Sequence, residues 1–315
     1  MLTLSTFFEK NRYLFLMHFV IFIWGFTGLM AKMIPVSANF LVLFRSFFAI
    51  IFLTFLIFWK AKEIRFFLSK KEIFGLFIVG LSITVHWILF FESIQQSNIS
   101  VGVACLSLSS FFVLILKFFF TKKAKFSPQE LWLSIMIVIG MLFIFQVDIN
   151  YYFGIFLGIL AALTGAIFSL ATRKYTQNIP AYTSAWYQML FSFFLILSYE
   201  ILLNIFDFST SLSNNFLTEI NNTEWILLIF LGVVATAFPM FALVSILKHI
   251  PAFSFTMAVN LEPIYSILLA FLFFGSEEKM NFNFYIGFAL ILFAVFIETY
   301  WQKKVKKPFN ILNQS

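Results

Sequence analysis

Only 11% of the side chains in this 315-residue sequence are charged, and that scarcity excludes most of what a chain of its length could be. A soluble domain carries charge on about 25% of its residues. So few charges cannot cover a water-facing surface. The single cysteine, Cys105, has no partner in the chain, so disulfide chemistry plays no part in the fold. The three histidines, His18, His86 and His249, are widely spaced, and the sequence contains no His-x-x-x-His and no Gly-x-Ser-x-Gly. No paired intramembrane Asp residues occur either, so no catalytic residues, metal ligands or cofactor site are expected. A Walker motif is also absent, which leaves an ion gradient or the substrate's own gradient as the energy source.

Apolar surface is what the sequence has in abundance. Hydrophobic residues make up 62% of it, aromatic residues 21%, and the mean hydropathy is +0.97. Such a composition belongs to the membrane class, with the lipid bilayer as solvent. The net charge of +7 does not imply nucleic acid, because the basic residues lie in short connections between apolar runs and not on one face.

A membrane-crossing helix needs roughly 20 largely apolar residues. That criterion predicts an all-α polytopic membrane protein with ten transmembrane helices. They lie near 14–31, 39–59, 73–93, 100–120, 130–146, 153–172, 183–204, 224–247, 252–274 and 282–300. The first run spans by length and lacks a cleavage site of small residues, so it is read as a helix and not a leader. Lys10, Arg12, Lys60, Lys62, Arg65, Lys70, Lys71, Lys117, Lys122, Lys123, Lys125, Arg173, Lys174, Lys248, Lys303, Lys304, Lys306 and Lys307 all fall on one side of the resulting topology. The other side has only Lys32 and Lys279, and Arg45 falls inside a span. Eighteen against two places both termini in the cytoplasm by the positive-inside rule, as for a bacterial plasma (inner) membrane protein. Aromatic belts agree: Tyr13, Trp59, Trp132, Tyr175, Tyr182, Tyr300 and Trp301 lie at one interface, and Tyr151, Tyr152, Trp225 and Tyr285 at the other.

Ten spans divide at the polar break Asp148–Tyr152 into a first five-helix repeat, 1–147, and a second, 153–302, followed by a basic tail, 303–315. Five is odd, so two such repeats would be inverted relative to each other, as in many secondary transporters. Ser93–Phe120 can be laid on Ser245–Leu272 without gaps, with few identities.

Trp24-Gly25 in the first span, Arg45 in the second, Asn260-Leu261-Glu262-Pro263 in the ninth and Phe274-Gly275-Ser276-Glu277 at its exit form a recognisable set. Over residues 14–300 the chain resembles the EamA-type transporters of the drug/metabolite transporter superfamily. Ser276 interrupts the usual Gly-Glu, and the first half has Ser110-Phe111 or Lys117-Phe118 where a second Glu-Pro would stand. The resemblance implies a basket of ten helices around a pathway lined by spans 1, 3, 4, 6, 8 and 9. It implies efflux of small metabolites such as amino acids or toxic compounds. A small-molecule substrate is therefore the expected partner, and a homodimer is left open.

Ionisable groups are costly inside a bilayer, about 2.5–3.5 kcal/mol at a helix centre, so each one calls for a reason. Glu262 stands about 15 Å into the ninth span at 1.5 Å per residue, at mid-depth. Pro263 has no N–H and leaves the carbonyl of Val259 without its helical donor, and Asn260 is two residues away. Together these make a substrate- or proton-binding candidate, against a carboxyl that merely pins a kink. His86 is either a hydrogen-bonded buried imidazole or a pathway group, Trp87 a wall or packing, and Trp24 a stacking wall. Arg45, with Glu92 as a partner or with its head snorkelled to the interface, reads as a structural intramembrane charge. Ser100, Ser107, Ser109 and Ser110 in the fourth span, and Gly154, Gly158 and Gly165 in the sixth, read as close-packing residues. An intramembrane lipid-modifying enzyme and a channel or scaffold without a transport cycle are the competing functions.

The charge asymmetry makes a direct prediction. A reporter fused after Ser315 should register cytoplasm, and Asn214→Cys should react with an impermeant thiol reagent from the opposite face. Labelling of that cysteine only after the inner face is opened would reverse the orientation.

Overall fold

The computed structural model describes residues 4–59, 65, 67–121, 125, 127–144, 149–205, 220–275 and 280–305. Ser276-Glu277 of the expected motif and Asn214 lie outside them, as does the tail from residue 306. Every regular element among the described residues is helical. In order these are α1 (Leu4–Met33), α2 (Ala38–Trp59), α3 (Lys70–Gln95), α4 (Ile99–Cys105), α5 (Ser109–Phe120) and α6 (Pro128–Ile144). The second half has α7 (Tyr152–Tyr175), α8 (Ala181–Ile205), α9 (Asn222–Gly232), α10 (Phe238–His249), α11 (Ala252–Val259), α12 (Glu262–Phe274) and α13 (Phe282–Val305). The last helix continues past residue 303, where the basic tail was expected to begin.

Nine segments among the described residues are long and apolar enough to cross a membrane. Three of them are interrupted helices: α4 with α5, α9 with α10, and α11 with α12. The expected span 130–146 appears as α6, an apolar helix of 17 residues, just short of the other nine.

The solvent preference of the bundle is inverted relative to a soluble protein. Phe119 is 78% exposed and Phe58 77%, while Ser46, Ser93, Ser110, Gln188 and Ser266 are buried. An apolar exterior of this extent has its counterpart in lipid, where the backbone must be satisfied within helices. Helix ends are closed by side chains. Ser69 with Glu72, and Asn221 with Glu224, form capping boxes, and Asn98 accepts from the amide of Val101. Arg173, at the end of α7, donates to the carbonyls of Leu247 (2.7 Å) and Ile250 (2.5 Å) at the end of α10. Lys248 in turn donates to Ile179, just beyond α7, at 2.5 Å. Cations on terminal carbonyls suit both the hydrogen-bond need and the helix dipole.

The three interruptions have local causes. Between α4 and α5 a 3-10 turn runs over Leu106–Leu108, with the Ser110 hydroxyl donating to the Ser107 carbonyl at 3.1 Å. Serine hydroxyls compete with helix hydrogen bonds in this way. Between α11 and α12 the residues Asn260 and Leu261 form a turn, followed by Pro263, whose ring nitrogen cannot donate. Between α9 and α10 lies a π-helical turn, Val233–Ala237, just before Pro239. A wider turn re-registers the backbone where proline removes a donor.

Small residues set how closely the helices approach. A Cβ on Gly25 would lie 2.4 Å from the Cβ of Tyr265, and the Ser266 hydroxyl donates to the Gly25 carbonyl at 2.8 Å. Gly25 is therefore what seats α12 against α1. Gly154 and Gly158 similarly receive Ser97, Ser93 and Cys105. On the far side of the bundle Gly287 of α13 meets Gly140 of α6, where a Cβ would stand 2.2 Å from the Gly140 carbonyl.

Gly25→Ala should lower thermal stability by about 1–3 kcal/mol, because the added methyl meets a Cβ that cannot swing away. A melting temperature equal to that of the parent protein would show that α1 and α12 are not packed this closely.

Candidate functional site

Two of the interruptions, α4–α5 and α11–α12, border one partly open cavity within the bundle, and α10 reaches it just beyond the third. Trp24 and Thr27 reach it from α1, Arg45 from α2, and Ile83, His86, Trp87 and Phe90 from α3. Leu106 and Ser109 come from the α4–α5 break, Gly165, Phe168 and Ser169 from α7, and Met240 from α10. Phe255, Thr256 and Val259 of α11 and Glu262 of α12 complete it. The walls are mainly aromatic and aliphatic, with a few polar groups, as is usual for small-molecule sites.

Glu262 is the first residue of α12 and only 5% exposed. Its carboxylate makes no hydrogen bond to protein among the described residues and opens into the cavity. Val259, whose carbonyl Pro263 cannot serve, lines the same space. Arg45, 2% exposed, lines the same cavity from α2. Its Nε donates to the hydroxyl of Thr236 at 3.0 Å, and its guanidinium carbon lies 3.7 Å from the centre of the Trp87 ring and 5.2 Å from that of Phe91. The two charges attract across the cavity without a direct ion pair. Cation–π contact and a single hydrogen bond thus carry Arg45, while Glu92 accepts from Gln96 at 2.8 Å and takes no part.

His86 is held by α7. Its Nδ1 lies 2.8 Å from the Ala161 carbonyl, which can only accept, so Nδ1 carries the hydrogen and Nε2 is left as the second polar atom of the ring. Gly165 makes this approach possible, since a Cβ there would lie 3.0 Å from Nδ1. Trp24 stands edge-on to Phe255 at 6.1 Å, so two aromatic walls meet at one corner.

Of the residues picked out in the sequence, Glu262, His86, Trp87, Trp24 and Arg45 thus converge on one cavity. Asn260 and Pro263 do not line it. Asn260 is buried behind the wall, with its amide nitrogen 4.0 Å from the Met257 sulfur. The sequence reading missed Thr236, whose contact with Arg45 depends on the π-turn, and it missed the cavity role of Ser109. The local signals were Pro239 three residues after Thr236 and the serine cluster in the fourth span.

The family model described as the EamA-like transporter family matches residues 11–146 and again residues 152–300. A solved crystal structure superposes with a TM-score of 0.69 over 94% of this chain and 99% of the other, at 14% sequence identity, which speaks for the fold alone. No curated protein matches the sequence.

Placement in the cavity can be read by chemistry. In a Cys105→Ala background, Thr27→Cys, Ser169→Cys and Thr256→Cys should react with a small water-soluble thiol reagent, and Asn260→Cys should stay unreactive. Equal reactivity at all four positions would show that no distinct cavity separates them.

Proposed function

We propose that this chain, which belongs to the EamA-like transporter family, is a gradient-driven secondary transporter that exports small metabolites through the central cavity. The observation that carries the proposal is Glu262: a carboxyl buried at the break of a membrane helix, without a hydrogen bond to protein among the described residues, lining the central cavity. A carboxyl so placed can exchange a proton for another cation as it is exposed to either side. Substrate movement is then coupled to protons at this one position, with His86 and the Val259 carbonyl as neighbouring polar groups.

The architecture we infer is ten spans in two inverted five-helix repeats, with α6 as the fifth span; 17 residues is at the short end of what crosses a bilayer. Three observations support it. The family matches twice, once on each side of the polar break. The interrupted fourth and ninth spans are counterparts, and in the ungapped overlay of Ser93–Phe120 on Ser245–Leu272 the turn Leu106–Leu108 falls opposite Ala258–Asn260. Helix neighbours also exchange consistently: α1 packs on α12 as α7 packs on α4 and α5, and α2 packs on α9 as α8 packs on α3. Both termini are assigned to the cytoplasm of a bacterial inner membrane by the basic residues of the connections.

Reconstitution in proteoliposomes with an imposed pH gradient tests the coupling. Glu262→Gln keeps the shape and removes the titration, so it should abolish uphill transport and flatten its pH dependence, while exchange of substrate for substrate persists. Gradient-driven uptake by the Gln variant with unchanged pH dependence would reduce Glu262 to a pin for the kink. Flux without counterflow in the parent protein would favour a channel.

A further inference from the structure

A second polar site lies away from the central cavity, where α8 packs on α2 and α3. None of its residues lines the cavity. On α8, a continuous helix, Ser184, Gln188 and Ser192 recur at every fourth position, so they share a face with successive Cβ atoms about 5–6 Å apart. All three are wholly buried. Two pins hold this stretch of α8 to α2. Trp186 Nε1 donates to the Thr54 hydroxyl at 2.9 Å, and the hydroxyls of Ser192 and Ser46 lie 3.1 Å apart. The fully buried residues of α2 between those pins, Ala49 and Leu53, are apolar. α3 closes in at Gly80, where a Cβ would stand 2.7 Å from that of Phe191 and 3.2 Å from the Gln188 carbonyl oxygen.

Into this setting α8 brings the side-chain amide of Gln188. Its Oε1 and its Nε2 are both buried, and neither has a protein partner among the described residues. The hydroxyl of Ser184, one turn earlier, is in the same position. Polar groups left unbonded in an interior are costly, and the same amide in place of an apolar side chain would only weaken the packing.

We propose that Ser184, Gln188, Ser192 and Ser46 hold internal water, which bonds the Gln188 amide and ties α8 to its neighbours. The chemistry of the amide selects the ligand. Oε1 needs a donor and Nε2 an acceptor, so a cation could serve only the first. A hard cation also needs several oxygens, but α8 spends its carbonyls on its own helix and none of the four residues carries a charge. Water both donates and accepts, and buried water occupies sites with two to four polar partners. One molecule between Ser184 and Gln188, and another between Gln188 and the Ser46–Ser192 pair, would satisfy every orphaned atom of the seam. Such bonds matter more here than in a soluble core, because lipid supplies no hydrophobic drive between helices and polar contacts hold them together. The site is independent of the transport reading.

Water-edited solid-state NMR on the full chain in lipid bilayers, with the glutamine side chains labelled with nitrogen-15, tests the proposal. The Gln188 signal is identified by its loss in Gln188→Asn. Although Gln188 is wholly buried, its amide should take up magnetisation from water as the exposed Gln95 and Gln177 do. A Gln188 amide that receives none would overturn the proposal. Stability gives a second readout with opposite signs for the two cases. Gln188→Met, similar in length and apolar, should lower the melting temperature by about 2–4 °C if it removes bonds to water. A melting temperature unchanged or raised would mean a dry, unbonded amide and would equally overturn it; where the Met variant does not fold, the NMR result decides. Exchange of sodium for choline should leave the melting temperature of the parent unchanged. A sodium-dependent rise that disappears in Gln188→Asn would replace water by a cation and contradict the assignment.

Discussion

The arrangement of the whole bundle turns on keeping one arginine and one carboxylate inside a membrane protein without letting them meet. Arg45 and Glu262 are both buried, face one cavity and attract across it. In so apolar a setting neither charge is tolerable by itself, and each has been given a different support. Arg45 is stacked on Trp87 and bonded to Thr236; Glu262 begins a helix at a break. A helix N-terminus carries partial positive charge, which favours a carboxylate there. The same charges are what a ligand can use.

The rest of the fold serves that placement. Continuous helices would carry every backbone group past the cavity fully bonded and would offer a ligand nothing but side chains. Breaks at Leu106–Leu108 and at Asn260-Leu261 interrupt the backbone beside the cavity, and the π-turn Val233–Ala237 carries Thr236 to Arg45. Glycines supply the complementary closeness. Gly25 seats α12, Gly165 admits His86, and Gly232 brings the π-turn to Arg45. Packing by small residues and breaking by proline or serine are thus two parts of one construction, in which tight helix contacts hold irregular backbone in place.

Much of this was legible in the sequence because the membrane imposes a simple code. Length and hydropathy marked the helices, and the cost of a charge in lipid singled out Glu262 and Arg45. Trp24, His86 and Trp87 were candidates by depth, with packing as the alternative, and all three line the cavity. Depth does not fix azimuth, however, and Asn260, expected beside Glu262 as a neighbouring ligand, does not line the cavity. It is two residues from Glu262, but the intervening turn directs its side chain toward Met257. The partner of Arg45 was hidden for a related reason. Thr236 is 191 positions away, and its direction depends on a π-turn whose one sequence signal is Pro239. Glu92, close to Arg45 in expected depth, pairs locally with Gln96 instead. The break in the fourth span contains no proline, and its serines resemble ordinary packing residues until the Ser110–Ser107 bond is seen.

The central claim is that the two separated charges stabilise each other across the cavity. A double-mutant cycle on thermal stability measures this directly, using Arg45→Gln, Glu262→Gln and the two combined, in nanodiscs without ligand. The account predicts that the combined variant is less destabilised than the sum of the single ones, by an interaction energy in the range of about 0.5–3 kcal/mol. Strict additivity would contradict it, because charges that stabilise each other cannot contribute independently.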